Sequence, residues 1–122
     1  MQNLMKISFI ILIIIPGLVS SDEADLRNER YNIIKCSAYH LKAMLNSQYY
    51  NKEKYEYHKN YFDTLNKKFL IISPSSSQAA FILSATSVIE SWSYIAQEKG
   101  QRFANMKIEN EYKDLCNSSL NK

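Results

Sequence analysis

Apolar residues recur along most of this chain at steps of three and four, the period of helices that bury one face. The cleanest run is Tyr55, His58, Phe62, Leu65, Phe69 and Ile72, which predicts a helix without a missed step. Upstream, Tyr31, Ile34, Ala38, Leu41, Leu45 and Tyr49 mark one face of a first helix from about Asp22 to Tyr50, with Cys36 and His40 one turn apart on a neighbouring stripe. Ser20 or Asp22 is placed to cap its start, and Asp22, Glu23 and Asp25 suit the positive end of the helix dipole. A short turn near Asn51 divides these two patterns, with a continuous bent helix as the alternative, because residues 46–52 contain neither Gly nor Pro.

The plainest interruption is Ser73-Pro74-Ser75-Ser76-Ser77. Pro74 disfavours helix at Ser73, and Ser75 followed by Gln78 forms a capping-box signature. A third helix then runs to Lys99, with Phe81, Ala85, Val88, Trp92, Ile95 and Lys99 on one side and Ile82, Ile89 and Ala96 widening it. Gly100 either caps this helix or sits within a longer one. Beyond it, Ala104, Ile108, Tyr112 and Leu115 predict a fourth helix ending near Cys116, before a frayed tail from Asn117 to Lys122.

After residue 21 the chain holds one Gly, Gly100, and one Pro, Pro74, too few for a domain of tight hairpins. The expectation is an all-α fold: a small antiparallel bundle of four helices in up-down-up-down order, or of three if Gly100 does not break the last one. Neither an internal repeat nor a disordered linker is visible.

The N-terminus changes the picture. Lys6, the apolar run from Ile7 to Ile15, then Pro16-Gly17 and small residues before Asp22 read as a secretory signal peptide. The apolar stretch is too short for a spanning helix, which needs roughly 20 residues. Cleavage after Ser21 would leave residues 22–122 as one small domain in the periplasm or outside the cell; an uncleaved N-terminal anchor is the alternative. Cysteine usage agrees with export. Cys36 and Cys116 are the only two, and in an oxidising compartment they allow one intramolecular pairing. Helix four of the expected bundle ends beside the early part of helix one, where these two residues lie. Closing so long a loop stabilises by roughly 4–5 kcal/mol in the chain-entropy treatment. Free thiols or an intermolecular bridge are the alternatives.

Charge excludes one class of partner. The net charge is +3 at pH 7, or +2 once Lys6 has left with the leader, and its mixed pattern offers no footprint for nucleic acid. Candidate chemistry is sparse. Cys36, His40 and Cys116 could supply three metal ligands, but no fourth is evident and the disulfide competes for the sulfurs. Neither a Glu-x-x-His pair, a Cys-x-x-Cys-His, a Gly-rich phosphate loop nor a Gly-x-Ser-x-Gly elbow is present. We therefore assign no catalytic, cofactor or metal residue from sequence. His58, a lone titratable group in an apolar stripe, is a candidate pH switch if buried.

Tyrosine is the compositional oddity: nine in all, five of them between Tyr49 and Tyr61. Tyr50, Lys54, Tyr57, Tyr61 and Lys68 follow helical spacing opposite the core stripe, as an exposed aromatic and basic strip suited to binding. Packing of these rings over helix edges is the duller account. Asn117-Ser118-Ser119 matches the N-glycosylation pattern, relevant only in a eukaryotic secretory route.

The plan of leader, helical domain and one disulfide is similar in outline to small periplasmic acid-stress chaperones, in architecture and not in any motif. The expected role is a non-enzymatic interaction protein meeting an envelope or extracellular protein or polymer. A pH- or redox-responsive chaperone-like protein is the alternative, and a small metal-binding protein or enzyme the second. The exported protein is expected to begin at Asp22 on N-terminal sequencing; retention of Met1 would identify an anchor instead.

Overall fold

The computed structural model describes the backbone of residues 2–120 and the side chains of residues 23–117. Four helices follow in order: α1 (Gln2–Ser47), α2 (Lys52–Ile72), α3 (Gln78–Lys99) and α4 (Gln101–Leu120). No strand occurs among the described residues. The first helix does not begin near Asp22: residues 20–22 lie inside α1, which runs unbroken from Gln2 to Ser47. The leader's side chains, and with them the signal-peptide reading, lie outside the described residues.

The three joints follow from local chemistry. Asn51 caps α2, its side chain accepting from the Lys54 N–H at 3.0 Å, so the chain turns there and does not bend through. At α3 the cap is Ser77, accepting from the Ala80 N–H at 3.1 Å, and not Ser75. Ser75 is two residues too early because Ser73 to Ser76 form a turn of their own, closed by the Ser76 N–H to the Ser73 carbonyl. Gly100 ends α3 with φ of +93°, a conformation that side chains disfavour, and α4 starts at the next residue. The fourth helix continues past Cys116 to Leu120.

The central element is α1, which packs against all three others, whereas the backbones of α2 and α3 lie farther apart and meet through their phenylalanine side chains. One core cluster joins Ile33 and Cys36 to Phe62, Leu65, Phe69, Phe81 and Cys116. Here the Phe81 ring sits 5.4 Å from that of Phe62 and 5.1 Å from that of Phe69. A second cluster sets Ala38 against Ala85, Trp92 and Ile108. The stripes expected for α2, α3 and α4 supply these contacts.

The phase of α1 differs from its sequence reading. Tyr31, Leu45 and Tyr49 are exposed, while Ile33, Cys36, Ser37, Ala38, His40 and Ser47 are buried. The cysteine stripe is thus the core stripe. Its polar members are tolerated because the Ser37 and Ser47 hydroxyls donate to the carbonyls of Ile33 and Ala43, both at 2.7 Å. The most apolar described helix, α3, is by length and composition able to cross a membrane. In this fold it turns Phe81, Ala85 and Trp92 into the core.

Phe81 is fully buried and Leu83, two residues on, is 67% exposed. Phe81→Ala is expected to lower unfolding free energy by roughly 3–5 kcal/mol, and Leu83→Ala by less than about 0.5 kcal/mol, read by urea titration.

Candidate functional site

Around the middle of α1 the bundle interior turns polar. Cys36 and Cys116 form a disulfide with 5.0 Å between their Cα atoms, joining α1 to α4 across 80 residues. One turn further along α1 lies His40, fully buried. A ring nitrogen of His40 and the two sulfurs lie within 4.8 Å of one another, as a metal site would need. With both sulfurs committed to the disulfide, neither is a thiolate able to ligate. A partly exposed ion pair, Lys35 Nζ to Glu111 Oε2 at 3.2 Å, spans the same two helices.

His40 meets His58 of α2 through their Nδ1 atoms, 2.9 Å apart. The surrounding shell is aromatic. Tyr61 stacks on His40 with ring centres 5.0 Å apart and planes 11° from parallel, and Tyr39 and Tyr112 stand edge-on to it. One imidazole must donate across the Nδ1 pair and the other accept. His40 Nε2 has no partner and is buried, which decides between the two arrangements. If His58 donated, His40 would carry its proton on Nε2, a buried N–H with nothing to bond. If His40 donates, its Nε2 is a bare lone pair, the more tolerable defect. His40 is therefore the Nδ1–H tautomer, and His58 carries its proton on Nε2.

The same surroundings oppose charge. Burial, then the neighbouring His58, lower the His40 pKa from 6.5 to about 4. His58 is also lowered, by burial and then by the Lys54 ammonium. Tyr39 is pushed up to about 12, chiefly by burial and then by the Glu109 carboxylate, to which its hydroxyl donates at 3.4 Å.

Beside this cluster a cleft of about 280 Å³ opens between three helices. From α1 come Tyr39, Lys42, Ala43 and Asn46; from α2, Lys54 and His58; from α4, Asn105, Ile108 and Glu109. Of these, Lys54, His58 and, as a core residue, Ile108 drew attention in the sequence. The others are half-buried or exposed residues of separate helices, and no local pattern announces that they converge.

The tyrosine and lysine strip divides. Tyr50 is 90% exposed, Tyr57 is 52% exposed and Lys54 is exposed on the cleft wall. Tyr61 and Lys68 are half-buried, and Tyr61 is committed to His40. Tyr57 lies edge-on to Tyr61 at 5.0 Å and to His58 at 5.1 Å, so the strip's outer rings rest on the inner ones. Tyr49, assigned to the core face from sequence, is 84% exposed and extends the outer group.

The chain matches no protein-family model, no curated protein and no solved structure.

Acid is expected to weaken the fold through His40. An unfolded imidazole binds its proton near pH 6.5, and the folded one only near pH 4, so the stabilisation is complete above the first value and lost as pH falls through that window. Between pH 7 and pH 5 unfolding free energy should drop by about 2 kcal/mol. His40→Asn is expected to flatten that slope in urea titrations at the two pH values; an unchanged slope would assign the acid effect to other groups.

Proposed function

We propose that this protein is an exported, non-enzymatic binding module. Its leader is removed after Ser21, and residues 22–122 form an up-down-up-down bundle in the periplasm or extracellular space. Short joints at residues 48–51 and 73–77 and at Gly100 support that order of helices. A Cys36–Cys116 disulfide is compatible with an oxidising location.

The observation that carries the binding reading is the corner between α1 and α2. Tyr49 and Tyr50, in the turn between the helices, and Tyr57, early in α2, are exposed there, and Lys54 of the same stretch lines the cleft. Exposed tyrosines supply rigid apolar area with a polar tip, and such rings gain most when a partner covers them. The partner is an envelope or extracellular protein or polymer.

A second reading draws on the buried His40–His58 pair: a chaperone-like protein whose bundle loosens in acid or on reduction. Dye binding to newly exposed apolar surface, appearing only at low pH or with reductant, would favour it.

Tyr50 and Tyr57 are chosen for the test because Tyr61 belongs to the interior. The double change Tyr50→Ser, Tyr57→Ser should leave the helical signal and melting temperature nearly intact. It should abolish retention of a partner that the parent captures from native envelope or culture extract. Retention unaltered by the folded double variant would move the binding surface elsewhere.

A further inference from the structure

The cleft between α1, α2 and α4 combines features that belong together only in a ligand site. Its floor is Ala43, Ile108 and the largely buried His58; its walls are polar. Lys42 stands on α1 and Lys54 on α2, and neither ammonium is ion-paired among the described residues. Two unpaired cations on facing elements of one concavity favour an anion.

The histidine pair adds a donor. His40 gives its Nδ1 proton to His58, so the remaining His58 proton is on Nε2. That atom, unlike Nε2 of His40, is not among the buried polar atoms lacking a partner. His58 lines the cleft, so its one remaining proton, on Nε2, is the donor it has to offer a ligand there. An orphan lone pair inside the bundle thus fixes a donor at its surface.

The fourth wall restricts the anion. Glu109 on α4 places a carboxylate in the same cleft, engaged on one oxygen by the Tyr39 hydroxyl. A phosphate dianion would meet that charge directly. A single carboxylate held by the lysines leaves Glu109, with the amides of Asn46 and Asn105, to bond hydroxyl groups. About 280 Å³ lies at the small end of ligand sites, which suits one sugar ring.

From these observations we infer that the cleft binds an acidic sugar of the uronic acid type, its carboxylate toward Lys42 and Lys54 and its hydroxyls toward Glu109 and the amides. This rests on the binding-module reading and names a chemical class for what that corner meets: a uronate-bearing polymer end or side branch.

The full-length protein, held in mild detergent, is titrated by calorimetry with glucuronate, glucose, acetate and inorganic phosphate. Glucuronate should bind at least tenfold more tightly than each of the other three. Lys42→Ala and Lys54→Ala, both surface changes that leave the helical signal unaltered, should each weaken glucuronate at least fivefold. In nitrogen-15 spectra of the parent, glucuronate should shift His58 Nε2 more than His40 Nε2. Phosphate or acetate binding as well as glucuronate would overturn the assignment, as would lysine variants that bind it unchanged, or no binding at all. Partner capture through Tyr50 and Tyr57 is read separately. Capture by the parent that survives while glucuronate fails sinks only the sugar assignment, whereas a parent that captures no partner sinks the wider reading.

Discussion

The bond between Cys36 and Cys116 is the constraint on which the rest of this interior depends. It fixes α1 against α4, a contact otherwise made by Ala38 with Ile108, the stacking of Tyr39 on Tyr112, the Tyr39–Glu109 hydrogen bond and one partly exposed ion pair. Surface pairs of that kind contribute at most about 1 kcal/mol. A tether closing a loop this long removes entropy from the unfolded ensemble and so raises its free energy by several times as much. The imidazole pair, the tyrosine shell and the cleft all lie beside that tether, where α2 meets the two helices it joins.

With the helices so held, the polarity of the interior becomes a matter of hydrogen-bond accounting. His40 and His58 satisfy each other once, leaving one lone pair unmet inside and one N–H at the cleft. An apolar replacement at both positions could pack as well, since paired buried polar groups gain little over well-shaped apolar ones. What the histidines add is direction, a defined donor at a defined place, together with a fold that resists taking up a proton.

How much of this could be read from the sequence depended on whether the signal was local. The α2 stripe from Tyr55 to Ile72 was legible because its apolar residues keep one period, whereas the Asn51 and Gly100 joints were legible only as one of two alternatives, since residues 46–52 hold neither Gly nor Pro and a glycine can also sit inside a helix. The phase of α1 was not. Tyr31, Leu45 and Tyr49 imitate a core stripe by size and spacing, while the true stripe uses Cys36, Ser37 and His40, whose burial depends on partners from α2 and α4. Cysteine arithmetic recovered the disulfide where hydrophobicity pointed elsewhere. The cleft was invisible for a different reason: Lys42, Asn46, Asn105 and Glu109 belong to helices whose relative placement no short pattern encodes. Tyr61 shows the limit within one helix, since spacing put it with Tyr57 and only the depth of His40 draws it inward.

Both sulfurs of the tether are shut away from solvent. A thiolate must approach a sulfur directly to displace its partner. Reduction is therefore confined to moments when α4 has lifted from α1, and its rate under mild thiol becomes a clock for that excursion. Followed over temperature or acidity, the clock would report the free energy of a single local opening, far below the threshold at which the whole domain melts.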